Sequence, residues 1–389
     1  TGSSAGSFAL GTSVLNDVNT LAALTSGAIT FRDLDDLTIG TIAASSGIAE
    51  MRGIATYSGV TNSAAVLMTT GGTLTVAQLI DTSVAGSSSV GVVTLDSGTT
   101  LVLTSDGDIT SNGAVSLTAA SGISIAGDIT TTNDNVTFVS AVSLAGPVAI
   151  STGSGIGTIA FNSTLNGTQT LSLTAGTGNI DFDGIVGGTT PLGAVTIVSG
   201  LHVTADAAFS AASLLQSAGT GLTTLTGLVT TTAVAGVSLT GSGFFVTGGI
   251  TTSASGVVTI NESGTVTIAT TGDITAYGAV SITGTGGIST AGDITTTNDN
   301  VTFISAVTLG GAVDIDTTGT AAGNILFSST IATAGNALAL DAGAAGNITL
   351  SGALTGNGAF TVRDGAVQNY AALTVSTLSI VDATTSITF

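Results

Sequence analysis

The sequence contains no cysteine, no tryptophan and no lysine, and these absences exclude several classes of protein. Without cysteine, the chain of 389 residues has neither a disulfide framework nor a thiolate zinc site. The only arginines are Arg32, Arg52 and Arg363, against 23 acidic residues. Because neutralising phosphates requires clustered Lys or Arg, we expect no nucleic-acid partner.

Long apolar runs are also missing. Hydrophobic residues make up 43% of the chain but occur in short bursts, and none approaches the roughly 18 to 20 consecutive residues that cross a bilayer. We therefore expect no membrane-spanning segment. With 56 glycines, two prolines and 7% charged residues, the composition is neither disordered nor collagen-like. The formal charge of −20 favours solubility and can attract divalent cations.

The most prominent feature that is present is an internal duplication. The twelve residues GDITTTNDNVTF occur at 127–138 and again at 292–303. They belong to a longer segment, 107–150, which aligns without a gap to 272–315. A unit of about 165 residues has therefore been copied within the chain.

A finer period of about 23 residues runs through each copy. It is marked by apolar-x-apolar triplets, which are typical of strands with one buried face. In the first copy these are Val136/Phe138, Ile159/Phe161 and Ile180/Phe182; in the second they are Val301/Phe303, Ile325/Phe327 and Ile348/Leu350. The triplets are separated by Gly, Asn, Asp and Ser, which favour turns.

This period predicts an all-β fold, a parallel β-solenoid of about 17 coils of 21–25 residues, each coil stacking about 4.8 Å from the next. Immunoglobulin-like modules would instead repeat at about 100 residues. We predict one elongated solenoid over residues 1–389, with Phe138, Phe161 and Phe182 stacked in its interior and Phe303 over Phe327. Recurrent asparagines before strands are expected to form hydrogen-bonded ladders: Asn135, Asn179, Asn300, Asn324 and Asn347.

Several segments resemble filamentous haemagglutinin-type large exoproteins of Gram-negative bacteria. They are ITFRDLDDLTIGTI (29–42), TTGGTLTV (69–76), GDITTTNDNVTF and GNITLSGALTGNGAFTV (346–362). The resemblance covers nearly the whole chain in repeat texture and composition. It implies a right-handed parallel β-helix, an exported fibre or adhesin at the cell surface, and a longer parent chain. A recognisable N-terminal secretion domain of that family is absent from this sequence.

Parallel β-helices also serve as polysaccharide lyases and hydrolases, so a carbohydrate-active enzyme is the second hypothesis. Such sites need clustered carboxylates, usually with a basic partner. The one dense acidic cluster is RDLDDL, which contains Asp33, Asp35 and Asp36. We interpret it as a solvated corner, and the lone His202 as a surface or edge residue.

Calcium is a weak candidate ligand, and we expect no other cofactor. The oxygen-rich corner TNDN offers Asn133 and Asp134 in the first copy and Asn298 and Asp299 in the second. Paired aspartates also occur in DFD (181–183) and DID (314–316). The Gly-Asp nonapeptide pattern of calcium-binding β-rolls is absent, so a polar corner is the favoured interpretation.

An ice-binding β-solenoid is the third hypothesis, because flat arrays of outward threonines can bind ice. The outward residues of successive triplets are too mixed for such an array: Ser116, Thr137, Ala149, Ala160, Ser172, Asp181 and Thr196. Sugar-binding platforms are disfavoured too, because the tyrosines Tyr57, Tyr277 and Tyr370 are scattered.

The favoured function is an exported structural or adhesive fibre segment without catalytic activity, located outside the cell or on its surface. Residue 1 is Thr and no leader follows, so we expect a mature chain or a piece of a longer one. Neither end resembles a cap, and the last residues, 377–389, keep a strand pattern. We therefore expect end-to-end self-association or continuation into a longer chain, with a cell-surface or carbohydrate receptor left open.

Overall fold

The alternation of apolar and polar residues produces short strands. Successive side chains of a strand point to opposite faces, so residues i, i+2 and i+4 share one face. The computed structural model describes residues 6–13, 16–45, 49–56, 64–83, 91–319 and 323–389. Within these ranges every regular element is a strand, and the fold is a β-solenoid of about 16 turns, close to the 17 predicted.

The chain divides into two units. Unit 1 comprises Thr1–Gly193 and Val198–Leu201, and unit 2 comprises Ala194–Ile197 and His202–Phe389. The strands before the boundary are β1 Phe8–Leu10, β2 Thr20–Leu21, β3 Ala23–Leu24, β4 Ile29–Asp33, β5 Leu37–Ile39, β6 Thr41–Ile42, β7 Met51–Arg52, β8 Ile54–Ala55, β9 Val66–Thr70, β10 Leu74–Val76, β11 Ile80–Asp81, β12 Val93–Ser97, β13 Leu101–Leu103, β14 Ile109–Ser111, β15 Val115–Ala119, β16 Ile123–Ile125, β17 Ile129–Thr131, β18 Val136–Phe138, β19 Val142–Leu144, β20 Val148–Ser151, β21 Ile159–Phe161, β22 Leu165–Asn166, β23 Leu171–Thr174 and β24 Ile180–Phe182.

Strand β25, Leu192–Ser199, contains residues of both units. The strands of unit 2 are β26 Val203–Ala205, β27 Phe209–Gln216, β28 Leu222–Leu225, β29 Val229–Thr231, β30 Val237–Gly241, β31 Gly243–Val246, β32 Ile250–Thr252, β33 Val258–Glu262, β34 Val266–Ile268, β35 Ile274–Ala276, β36 Val280–Gly284, β37 Ile288–Thr290, β38 Ile294–Thr296, β39 Val301–Phe303, β40 Val307–Leu309, β41 Val313–Asp316, β42 Ile325–Phe327, β43 Ile331–Ala332, β44 Leu338–Asp341, β45 Ile348–Leu350, β46 Leu354–Thr355, β47 Ala359–Asp364, β48 Val367–Tyr370, β49 Thr377–Ile380 and β50 Ser386–Thr388.

Three parallel ladders run through unit 1, so a turn of the chain contributes one strand to each. The first ladder is β1-β4-β9-β12-β15-β18-β21-β24. The second is β2-β5-β10-β13-β16-β19-β22, and the third is β3-β8-β11-β14-β17-β20-β23. Among the described strands, β6 and β7 form the one antiparallel pair.

Unit 2 is also built from three parallel ladders. The first is β26-β28-β31-β34-β37-β40-β43-β46. The long strand β27 starts both of the others, because its first part pairs with β29 and its last part with β30. These ladders continue as β29-β32-β35-β38-β41-β44-β47-β49 and β30-β33-β36-β39-β42-β45-β48-β50.

Aromatic rings stack in the interior as the 23-residue period predicts. The register pairs Phe138 with Phe161 and Phe161 with Phe182, and the ring centroids lie 4.7 Å and 5.4 Å apart. In unit 2 the rings of Phe303 and Phe327 lie 4.6 Å apart. All five side chains are fully buried. The predicted interior stacks are therefore confirmed.

The two copies have the same local structure. The seven strands that begin between residues 107 and 150, β14 to β20, start and end 165 positions before their counterparts β35 to β41, which begin in the segment 272–315. The agreement extends backwards to β12 and β13, which correspond to β33 and β34. The union of both units into one elongated solenoid stays a prediction.

Candidate functional site

The TNDN corner of the first copy is held by hydrogen bonds that stabilise the turn itself. Asn133 adopts the left-handed conformation, with φ of 63°, which Asn tolerates better than most residues. Its Oδ1 accepts a hydrogen bond from the Gly155 amide of the next coil at 2.7 Å. The carbonyl oxygen of Asp134 accepts one from the Thr131 hydroxyl at 2.5 Å. Burial raises the pKa of the Asp134 carboxyl.

The second copy repeats this corner. Asn298 is again left-handed, with φ of 70°, and the Thr296 hydroxyl donates to the carbonyl oxygen of Asp299 at 2.5 Å. In the described part of the chain, no group of three or more His, Asp or Glu side chains lies close enough together to hold a metal ion. The four calcium candidates thus occupy turn positions with structural roles, and calcium binding there stays a prediction.

Aspartates of the GDI motif form a ladder along the corner. In unit 1 the Asp108 carboxylate accepts a hydrogen bond from the Asp128 amide, and Asp128 accepts one from the Ala149 amide, both at 2.8 Å. In unit 2 Asp273 accepts from the Asp293 amide at 2.9 Å, and Asp293 from the Asp314 amide at 2.8 Å. Each carboxylate therefore ties its coil to the next one.

Asparagines form a second ladder of this kind. Asn300 accepts from the Asn324 amide, and Asn324 accepts from the Asn347 amide, both at 2.8 Å. In unit 1, Asn135 accepts from the Thr158 amide at 2.8 Å. A row of asparagines is therefore present at Asn300, Asn324 and Asn347, but its side chains bond to backbone amides of the following coil and not to one another as a ladder of stacked side chains would.

Arg363 adds an ionic clasp to unit 2. It is the extra residue of a β-bulge, because Leu340 pairs with Val362 and Asp341 with Asp364. Its guanidinium donates to both carboxylate oxygens of Asp314 and lies 3.2 Å from Asp341. The hydrogen bonds that Arg363 donates to Asp314, together with the negative charges of Asp314 and Asp341, raise the pKa of Arg363. The clasp joins three coils. It also occupies both carboxylate oxygens of Asp314, so Asp314 is not free to bind a cation.

The RDLDDL cluster does not form a single solvated corner. Asp35 and Asp36 are exposed, and Asp36 accepts a hydrogen bond from the Thr73 amide at 2.6 Å. Asp33, however, is buried, so the interpretation was wrong for this residue. Ile29, Phe31 and Asp33 alternate along β4 and must share its inward face. Burial raises the pKa of Asp33, opposed by the hydrogen bond from the Val18 amide.

The remaining candidates lie singly on the fold. His202 is exposed, as predicted, and its Nδ1 accepts a hydrogen bond from the Leu222 amide at 3.0 Å. Tyr277 is exposed, whereas Tyr370 is buried and donates to Gln368 Oε1 at 2.7 Å. Tyr57 lies outside the described residues.

A shallow groove occurs at equivalent positions in the two units. In unit 1 it has a volume of about 330 Å³ and is lined by Thr100, Gly122, Ser124 and Ser143 among others. In unit 2 it has a volume of about 210 Å³, and its lining includes the residues 165 positions later: Thr265, Gly287, Ser289 and Thr308. Neither lining contains a charged side chain. The groove offers hydroxyl groups for neutral hydrogen bonding and no group suited to acid–base chemistry.

The inward polar side chains were not predicted from the sequence. One series, at the end of a strand, donates its hydroxyl groups to backbone carbonyl oxygens three to nine residues further along the chain: Thr82, Thr131, Thr152, Thr252, Thr296 and Thr317. The other consists of two buried acids, Asp33 and Glu262. The signal was available, since Glu262 continues the alternation of Val258 and Ile260 on β33.

Within the described residues, no helix is long and apolar enough to cross a membrane. Comparisons with protein-family models, with curated proteins and with solved structures found no match to this chain.

Proposed function

We propose that the chain is a structural or adhesive fibre segment, exported from the cell and acting at its surface or outside it, without catalytic activity. The observation that carries the proposal is the open apolar interior at the outermost coils. Inside each unit the inward apolar columns are sealed by the next coil, as the full burial of Phe161 and Phe327 illustrates.

In unit 2 the last column positions are uncovered. Leu378 pairs with Phe360, and Ile387 pairs with Gln368. Phe360 and Gln368 are fully buried, but Leu378 and Ile387 are 42% and 40% exposed, and Phe389 is 69% exposed. Among the described strands, β49 and β50 have a partner on one side only.

The first coil of unit 1 shows the same feature. Phe8 and Leu10 of β1 pair with Ile29 and Phe31 of β4, which are buried, while Phe8 and Leu10 themselves are about two-fifths exposed. Open strand edges pair readily with further strands, and exposed apolar residues favour such pairing. We propose that a further solenoid coil stacks on these edges, supplied either by a second copy or by the continuation of a longer chain.

A concentration series followed by light scattering and negative-stain microscopy tests this proposal. The wild-type chain is expected to lengthen into end-to-end assemblies as its concentration rises. Ile387→Asp places a charge on the open column and is expected to block assembly. Leu228→Asp, at an exposed position of unit 2 away from β49 and β50, is the matched control and should assemble like wild type. A wild-type chain that stays monomeric at the highest concentration would falsify self-assembly.

The adhesive part of the proposal rests on the paired groove. Its uncharged hydroxyl lining suits a neutral ligand rich in hydroxyl groups, such as a glycan, and its occurrence in both units would give two equivalent sites. Ser124→Trp and Ser289→Trp fill the groove in unit 1 and unit 2. Each is expected to reduce glycan-array binding, and the double variant to abolish it. Unchanged binding by the double variant would remove the groove from the proposal.

A further inference from the structure

Glu262 is a carboxyl group enclosed in the interior of unit 2. It ends β33, where Val258, Ile260 and Glu262 share the inward face, and the residue is 1% exposed. Neither carboxylate oxygen has a hydrogen-bond partner among the described residues. A buried carboxylate without a partner is among the most costly groups a protein can contain. The neutral acid is far cheaper to bury than the ion.

The neighbouring coils leave room for this side chain. The register pairs Glu262 with Gly241 on β30 and with Gly284 on β36. A Cβ atom at Gly241 would lie 2.9 Å from Glu262 Oε2, so a larger residue there would crowd the carboxyl group. The space beside Gly284 is already occupied, because a Cβ atom at Gly284 would lie 2.7 Å from the carbonyl oxygen of Gly287. The carboxyl therefore occupies the side of Gly241.

A glutamine lies on the far side of Gly241. Gln216 Nε2 lies 3.3 Å from the same Cβ position that Glu262 Oε2 approaches. The Thr223 hydroxyl donates to Gln216 Oε1 at 2.8 Å. The amide nitrogen is therefore the atom of Gln216 that lies nearest to Gly241. None of the residues facing Glu262 from β27, β30 and β36, namely Gln216, Gly241 and Gly284, is titratable. No positive charge is therefore placed there to stabilise the ion.

We propose that Glu262 is a proton-dependent lock in unit 2: the neutral carboxyl closes the corner formed by the ends of β30, β33 and β36, and its ionisation opens that corner to water. This inference concerns the coil interior and does not depend on the proposed fibre function. The opening has a defined route on the side of Gly241, because that residue carries no side chain to retain the carboxylate.

The expected pH dependence follows from proton linkage. Burial alone raises the pKa of Glu262 from 4.5 to about 7. Below about pH 4.5 the group is neutral whether the corner is open or closed, so the closed form keeps its full stability. As pH rises from there to about 7, the open form releases its proton first, and each pH unit weakens closure by up to about tenfold. Above about pH 7 the carboxyl group is ionised in both forms, so a further rise in pH no longer changes the stability of the closed form.

Selective labelling gives a direct measurement, because the chain contains only two glutamates, Glu50 and Glu262. With [13Cδ]glutamate, the full chain shows two carboxyl resonances, and Glu50→Gln assigns them. We expect the Glu262 resonance to titrate with a midpoint near pH 7. A midpoint at or below about pH 5 would mean a solvated carboxylate and would overturn the proposal.

Hydrogen exchange followed by mass spectrometry tests the opening itself. After correction for the intrinsic exchange rate, peptides covering β30, β33 and β36 should lose protection between pH 5 and pH 7. Peptides covering β12 and β15 of unit 1, where Ser97 occupies the position equivalent to Glu262, serve as the internal control. Glu262→Gln keeps the shape without the charge and should abolish the pH-dependent loss. The same loss in Glu262→Gln, or in the β12 and β15 peptides, would contradict the lock.

Discussion

The two copies of the duplicated unit share their strands but differ in the polar side chains that the strands carry. Strands β12 to β20 and β33 to β41 have matching bounds 165 residues apart. At one inward position, however, unit 1 has Ser97 and unit 2 has Glu262. The single hydroxyl proton of Ser97 is shared between the carbonyl oxygens of Gly72 and Thr100, both 2.9 Å from Oγ, and Oγ accepts from the Leu74 amide at 3.2 Å. Glu262 makes no such bond.

This difference separates what specifies the fold from what is free to vary. Most apolar triplets and turn residues are shared by the two copies, and the strand bounds persist even where they differ, as at Ile125 and Thr290 or at Asn112 and Tyr277. An inward polar position tolerates both a satisfied hydroxyl and an unsatisfied carboxyl without a change of strand bounds. Differences in behaviour between the copies are expected at such polar positions and at outward strand positions, where Ala149 in unit 1 corresponds to Asp314 in unit 2.

The largest expected effect comes from the shared interior. Phe161→Ala removes a ring that packs between Phe138 and Phe182, and Phe327→Ala removes one that packs against Phe303 and pairs with Leu350. Each should lower the free energy of unfolding by about 3–5 kcal/mol. Phe161→Ala should lie at the upper end, because it loses two ring contacts. Urea unfolding followed by circular dichroism measures both, with Phe161→Leu as the control. A cost below about 1 kcal/mol at either site would mean that the stack is not closed.

The next effect concerns the left-handed asparagines. Asn133→Ala and Asn298→Ala should each destabilise by about 1–2 kcal/mol, because alanine is strained at positive φ. Asn133→Gly keeps the backbone conformation and loses only the hydrogen bond from Gly155, so it should cost about 1 kcal/mol or less. Hydrogen exchange of residues 131–138 measures the loss of local stability in the first copy, and exchange of residues 296–303 measures it in the second. Glycine variants as unstable as the alanine variants would show that strain does not decide these corners.

Much of the fold could be predicted from the sequence because the repeating signal is local. The 23-residue interval fixes which residues lie over one another, and the structure pairs Val136 with Ile159 as that interval requires. The buried acids were missed for a physical reason. Asp33 and Glu262 follow two apolar residues at the strand period, but acids are rarely buried, so Asp33 was interpreted as part of a solvated corner and Glu262 was not singled out.

The corners were harder to predict in detail. TNDN was correctly interpreted as a polar turn, yet its oxygen atoms suggest a cation site just as well from the letters alone. In the fold, the carbonyl oxygen of Asp134 and the Oδ1 of Asn133 accept hydrogen bonds from the chain itself, which the letters do not reveal. The clasp of Arg363 depends on a β-bulge, which the spacing of residues in the sequence did not predict.

The aspartate ladders give a smaller and nearly equal effect in the two copies. Asp128→Ala leaves the Ala149 amide without its acceptor, and Asp293→Ala does the same to the Asp314 amide. Each should cost about 1 kcal/mol. Asp128→Asn and Asp293→Asn retain an acceptor oxygen and remove a like charge from the row, so they should be at least as stable as wild type. Destabilisation by the asparagine variants equal to that of the alanine variants would show that the carboxylate charge, and not the acceptor, matters.

The smallest expected effect concerns the ion pairs that Arg363 forms with Asp314 and Asp341 in unit 2. Arg363→Gln removes the clasp to Asp314 and Asp341, but the arginine is 38% exposed, so its charges are largely screened by water. We expect a loss of about 0.5–1 kcal/mol at low salt that shrinks at about 1 M NaCl, where the screening length is about 3 Å. Arg52→Gln breaks the more exposed pair with Glu50 in unit 1 and is the matched control, with no measurable change expected. Because the clasp joins three coils through a bulge, its loss should increase hydrogen exchange in β41, β44 and β47 together. Exchange that rises in β47 alone would mean that Arg363 orders its own strand and does not bind the coils to one another.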